Sequence, residues 1–207
     1  MAFSDFEFEQ LQHALLQETR RCAVTLGMKK TSVEQLTRAV GIAKGSFYKF
    51  YKSKEMLFFA VLEGIHSELF GVADRVMSDD GGLPPSERAA KAILAVCKRL
   101  SETGDMVFIE NDAKLLLQRL PENVKTEHYH DDETHIRELL EKYDLAPKGG
   151  ASLAAAAVRG LSRIRHRSER CTRRCWKPWY TELAGNYLNK SEAAEMRLFQ
   201  GATVSFV

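Results

Sequence analysis

Apolar residues recur at three- and four-residue steps along most of this chain, the spacing of amphipathic helices. Residues 5–26 carry Leu11, Leu15, Thr19, Cys22 and Leu26 on one such stripe, and Gly27 is placed to end the helix. Ahead of the stripe, Phe3, Phe6 and Phe8 could either pack on the body or fray. A short helix follows over Ser32–Val40, with Val33, Leu36, Ala39 and Val40 on one face. Thr31, three residues before Glu34, has the spacing of a capping box. Gly41 permits a tight turn, and a second short helix, roughly Lys44 to Phe50, turns Phe47, Phe50 and Tyr51 inward. Ser53 is a plausible N-cap for a long helix from Lys54 to about Met77, striped by Leu57, Val61, Ile65, Leu69, Val72 and Val76.

Beyond that helix, Asp79 to Pro85 reads as the clearest linker in the chain. A helix from Ser86 places Ile93, Val96, Cys97 and Leu100 together and is broken by Gly104. Residues 105–120 hold the run Met106-Val107-Phe108-Ile109, which alone could be a buried strand; with no partner strand in view, helix is preferred. Ile136, Leu139, Leu140 and Tyr143 define one more helix, stopped near Pro147. Ser152 to Leu161 is Ala-rich, with Leu153, Ala157, Val158 and Leu161 along one face. After Leu161 the pattern deteriorates, and only Tyr180 to Phe199 regains a loose helical period. The expected fold class is therefore all-α.

Composition narrows the class. A chain of 207 residues with 44% hydrophobic and 28% charged residues reads as a soluble globular protein with a sizeable core. No uninterrupted apolar run approaches membrane-spanning length, so no membrane partner is expected. Asp5, Glu7 and Glu9 near the N-terminus are unlike a signal peptide. Cysteines at 22, 97, 171 and 175 show no disulfide framework, which points to a reduced, cytoplasmic setting.

The formal net charge of +2 conceals a segregated distribution. Lys29, Lys30, Arg38, Lys44, Lys49, Lys52 and Lys54 face a single acid, Glu34, across residues 29–54. That is the electrostatic footprint of a polyanion-binding surface. Two helices joined by a Gly-containing turn, the second with a polar outer face, make a helix-turn-helix. Lys44 and Gly45 stand where free backbone N–H groups favour phosphate. Ser46 and Tyr48 supply hydroxyls for phosphate oxygens, and Lys49 could reach a base edge in the major groove. The alternative is a solvated Lys-rich face on a structural helix pair.

The run Gly41-Ile42-Ala43-Lys44-Gly45-Ser46-Phe47-Tyr48-Lys49-Phe50-Tyr51-Lys52-Ser53-Lys54-Glu55-Met56-Leu57 resembles the DNA-binding segment of the tetracycline-repressor (TetR) family. Gly27 to Val33 is similar to that family's link between its first two helices. The resemblance implies a DNA-binding domain over residues 1–53 and a helical effector-binding and dimerisation domain over 54–207. It also implies a homodimer, operator DNA as partner and release by a small-molecule effector, with no cofactor. By position, Ser32, Ser46, Tyr48 and Lys54 match residues that hold phosphates; Lys44, Gly45 and Lys49 match residues that face bases. Ala43 departs from the pattern, standing where the family usually has a capping Ser or Thr. The Ala-rich Ser152–Leu161 stretch corresponds to a helix of the family's dimer bundle, or else to an internal core helix. An effector would bind between the lower fourth helix and helices five to eight, with Phe70, Val96, Phe108 and Leu116 as candidate lining residues.

Other readings stay open. Residues 162–177 hold seven basic residues and one acid where the family would show an apolar helix. They could be a basic helix or loop, a contact surface for DNA or an acidic partner, or a difference of reading frame. An alternative function is an inducer-independent DNA-binding module that works through a protein partner. Glu127 to His135 could place His128 with Asp132, or Asp131 with His135, on one helical face as a metal or effector-linked site, or form a solvated turn. His166, Cys171 and Cys175 lack a second matched ligand pair. No nucleophile elbow, phosphate loop or nucleotide fingerprint is visible, so neither an enzyme nor a metal site is expected.

Overall fold

A computed structural model describes residues 3–79 and 82–145, and these are helical, with no strand among the described residues. The order is α1 (Asp5–Thr25), α2 (Val33–Ala39), a 3-10 turn (Lys44–Ser46) running into α3 (Phe47–Phe50), and α4 (Lys54–Ser78). Then come α5 (Pro85–Thr103), α6 (Asp105–Phe108), a π-turn (Ile109–Ala113), α7 (Lys114–Arg119) and α8 (Glu122–Lys142). The Ala-rich 152–161 stretch, the basic 162–177 stretch and the 180–199 pattern lie outside the described residues.

Local chemistry sets the boundaries. Ser4 caps α1 in a reciprocal box with Glu7, so the helix begins among the phenylalanines that the sequence left undecided. The cap of α2 is Ser32, whose hydroxyl accepts from the Gln35 amide at 3.1 Å. This is one residue later than the Thr31–Glu34 spacing suggested. Thr31 is instead buried and donates its hydroxyl to the Gly27 carbonyl at 2.9 Å. Ser53 caps α4 through the Met56 amide at 3.1 Å, as its position implied.

The structure also decides two stretches that the sequence left open. The 105–120 region is helical but not regular. It carries a π-turn between α6 and α7, and Leu120 is extended (φ −78°, ψ 153°) before Pro121, which disfavours helix there. Residues 127–135 form no turn; they lie inside α8, where His128 is buried and Asp132 stands one helical step on, with Nε2 and Oδ2 3.6 Å apart.

The chain divides into two compact units, Met1–Leu69 with Lys98–Glu127, and Phe70–Cys97 with the residues from His128 onward. In the first, Leu15, Cys22, Leu36, Phe47 and Leu57 form a buried cluster. Phe58 and Phe108 meet with ring centroids 5.9 Å apart. Arg20 of α1 donates to Asp105 through Nε at 2.9 Å and to Glu68 through a terminal nitrogen at 2.6 Å, while Arg99 reaches the same Glu68 at 2.9 Å. In the second unit, Tyr143 donates its hydroxyl to Asp74 Oδ1 at 2.8 Å and Lys142 donates to the same oxygen at 2.7 Å. The ring of Phe70 there lies 5.0 Å from that of His135.

By length and composition alone α4 is long and apolar enough to cross a membrane. Its apolar residues Leu57, Phe58, Val61, Leu62 and Ile65 are buried against protein, and Glu63, Glu68 and Asp74 interrupt the apolar surface.

Candidate nucleic-acid interface

The turn between α2 and α3 is built by backbone chemistry. Val40 ends α2, and Gly41 takes φ +75°, a left-handed conformation that a residue with a Cβ resists. The Ile42 amide returns to the Thr37 carbonyl at 2.9 Å and the Gly41 amide to the Arg38 carbonyl at 3.3 Å. This pair of bonds is the Schellman motif, which satisfies carbonyls that the end of a helix otherwise leaves open. Ile42 then packs on the buried cluster with Val33, Val40, Phe50 and Tyr51.

That anchorage sorts the recognition segment into two faces. Phe47 is 0% exposed and Tyr51 half-buried, whereas Lys44, Gly45, Tyr48 and Lys49 face solvent. Tyr48 keeps 59% of its surface exposed although its ring meets Phe47 edge-on at 5.3 Å, so its hydroxyl end points away from the core. Ser46 is half-buried, Ser32 is exposed at the start of α2, and Lys29, Lys30 and Lys52 are exposed. Arg38, also exposed, lies 3.2 Å from Glu34, the lone acid of the stretch. Ala43 has extended N-cap geometry (φ −67°, ψ 143°) and makes no side-chain cap bond. The structure therefore brings Lys44, Gly45, Tyr48 and Lys49 onto one short exposed segment.

Lys54 is placed differently. Its ammonium donates to the carbonyls of Met28 and Thr31, each at 2.9 Å, so two of its three donors serve the α1–α2 loop. The candidate effector residues also separate. Phe108 and Leu116 are fully buried in the first unit, while Phe70 and Val96 are half-buried members of the second.

Periodicity alone missed several participants. Phe3 lies with its ring 5.3 Å from the Lys49 ammonium and 5.8 Å from the Phe50 ring, so the first residues buttress the recognition helix. Asp105 and Asp112, 2% and 6% exposed, were invisible as buried charges. Their seven-residue separation on a helical segment, flanking apolar residues, is the one signal that could have flagged them. Burial raises the Tyr51 hydroxyl pKa, partly offset by its hydrogen bond with Gln12, so this phenol stays neutral behind the surface.

Residues 15–61, spanning α1 to the first turns of α4, match the family model described as bacterial regulatory proteins, tetR family. Over 108 residues the chain is 29% identical to the HTH-type transcriptional repressor KstR2 of Mycolicibacterium smegmatis (strain ATCC 700084 / mc(2)155). That match spans 52% of this chain and 52% of the relative, about half the length of each. A TetR-family transcriptional regulator from Pectobacterium atrosepticum has a similar fold, with TM-score 0.60, 16% identity and coverage of 98% of this chain and 94% of that one. A TetR-family regulator from Agrobacterium tumefaciens superposes with TM-score 0.53 at 14% identity, covering 94% of this chain and 98% of that one. At such identities the two structures speak to fold, and the sequence match speaks to the helix-turn-helix. Residues 15–61 thus carry a helix-turn-helix like that of the tetR family of bacterial regulatory proteins, and the fold around it is similar to that of the two tetR-family structures.

Proposed function

We propose that this protein is a transcriptional regulator that grips operator DNA through α2, the turn and α3, acting as a repressor that a small-molecule effector releases. The observation that carries the DNA-binding part is the two-faced recognition segment: Phe47 is sealed in the core while Lys44, Gly45, Tyr48 and Lys49 project from the other side. A surface of this kind fits the major groove, where lysine can donate to guanine acceptors. In this reading Lys44, Gly45 and Lys49 face bases, and Ser32, Ser46 and Tyr48 hold phosphates. Ser32 can do so while capping α2, because its oxygen accepts the Gln35 amide and its hydroxyl proton is left to donate. A palindromic operator calls for a two-fold homodimer, with half-sites about 34–36 Å apart. The setting is then the cytoplasm, where the DNA is.

Effector release requires a ligand that binds the DNA-incompetent conformation more tightly, by about 5.5 kcal/mol for a near-complete switch. Half-buried Phe70 and Val96 are apolar groups an effector could meet within the second unit. Phe108 and Leu116 would line a cavity only if the first unit's core opened, since both are fully buried.

The test is fluorescence anisotropy with the promoter region adjoining the protein's own gene, alongside random duplexes, across a salt series. The expected result is tighter binding to the promoter and a log–log salt slope of several units. Lys49→Ala should narrow the gap between promoter and random duplex, whereas Tyr48→Phe should weaken both alike. Indifference of the purified protein to all duplexes at modest ionic strength would end this reading.

A further inference from the structure

The loop joining α1 to α2 is held by two side chains outside the recognition surface. Asp112, in the π-turn, accepts the Met28 amide on Oδ2 at 2.7 Å. Lys54, the first residue of α4, takes the Met28 and Thr31 carbonyls. Met28 and Thr31 are both buried, so these polar groups have been removed from water and need the partners they have. Gly27 has φ +78°, and a Cβ there would lie 3.0 Å from Asp112 Oδ2, so the carboxylate sits tight against the loop backbone. Charge assistance makes each of these bonds stronger than an amide–carbonyl pair.

The loop leads directly into Ser32, the cap of α2, and α2 with its turn carries the recognition segment. The orientation of that segment is thus fixed from two directions, by α4 through Lys54 and by the π-turn through Asp112. A π-turn holds one residue more than the α-helical repeat, so regularising it rotates the residues on one side of it by about 100° relative to the other. With the π-turn in place, the carboxylate of Asp112 meets the Met28 amide.

We propose that Asp112 and Lys54 are positioning residues for DNA binding. The π-turn makes α6–α7 a second linkage to the helix-turn-helix, independent of the covalent one through α4. The proposal rests on the DNA-binding reading above, and its first readout does not require DNA.

That readout is hydrogen exchange of the Met28 amide by NMR in the full chain, combined with anisotropy on promoter and random duplexes. In Asp112→Ala, protection of Met28 should fall about tenfold and every duplex should bind about tenfold more weakly with the salt slope unchanged. Asp112→Asn keeps an accepting oxygen and should restore both to within about threefold. Deleting the exposed Asn111 shortens the π-turn and should reproduce the Asp112→Ala losses with helical content retained. Lys54→Met should weaken all duplexes at an unchanged slope, whereas a phosphate contact would flatten it by about 0.9.

Equal Met28 exchange in the parent and Asp112→Ala overturns the contact. Lost protection with intact DNA affinity overturns the positioning role. A flattened slope in Lys54→Met moves Lys54 onto phosphate. Should Asp112→Ala fail to fold, the Asn111 deletion carries both readouts for Asp112, and Lys54→Met decides its own role by affinity and slope. A parent protein that protects Met28 but binds no duplex defeats the DNA-binding reading rather than the loop contact.

Discussion

Phe8 stacks on Phe50 with ring centroids 4.4 Å apart and planes inclined by 20°. The pair ties the first turn of α1 to the last residue of α3, so the N-terminal helix braces the end of the recognition segment. Phe8→Ala should destabilise the protein by about 2 kcal/mol, combining lost apolar burial with the stacking term. Phe8→Leu should recover roughly half, because the area largely returns and the stacking does not. Chemical denaturation of the three proteins checks the order.

Phe3 acts on the same segment through Lys49 rather than through the core. A half-exposed cation–π contact contributes only about 0.5–1 kcal/mol, so Phe3→Ala should barely move the unfolding midpoint. It removes one of the contacts that hold the Lys49 side chain. The expected consequence is a smaller preference for promoter over random duplex, seen in competition binding, with little change in salt dependence. An unchanged preference would separate Phe3 from Lys49 function.

Ala43 has the backbone of an N-cap and lacks the oxygen. Ala43→Ser should therefore stabilise the entry to the recognition helix, by about 1 kcal/mol at most because the 3-10 turn that follows is short. Thermal unfolding measures the gain. A lower midpoint would mean that the added hydroxyl is poorly accommodated in this turn.

Arg20 bridges two carboxylates, and one of them, Asp105, is 2% exposed. Arg20→Met would strand a buried carboxylate, at a cost on the order of 3 kcal/mol. The pH dependence has a definite sign. Arg20, with burial opposing and Arg99 assisting, holds the Glu68 carboxyl below its ordinary range. Its native value is thus below the unfolded one of about 4.3, so the stabilisation is complete above that pH and is lost as pH falls through the native value. Glu68→Gln should be less stable than the parent at pH 7, and the two urea midpoints should converge as pH falls below the ordinary carboxylate range. Parallel curves would show that Glu68 contributes nothing through its charge.

The helices were legible because their signals are local. Leu15 and Cys22 mark the buried face of α1 and Leu57, Val61 and Ile65 that of α4 by spacing alone, and Gly41 and Ser53 mark a turn and a cap by residue type. What stayed hidden depends on partners distant in sequence. Thr31 and Ser32 are equivalent as caps on paper; the choice falls to Ser32 because Thr31 is drawn into the loop bonded to Gly27 and Lys54. The π-turn has no clear signature, since Ile109 to Ala113 suits an ordinary helix, and the partner of its Asp112, Met28, is 84 residues away in sequence. The exposed half of the candidate site was readable from lysines and a glycine, and the half that aims it was not.

The unit that contains the helix-turn-helix is discontinuous, taking residues 1–69 and 98–127. A genetic graft that moved only the first fifty or so residues onto another protein would leave Leu57 behind and open the Leu36–Phe47 cluster at its floor. It would also sever Arg20 from Asp105 and Met28 from Asp112. The helix-turn-helix of this protein is therefore not a cassette: exchanging it with its supports intact means transplanting two separate pieces of the gene at once.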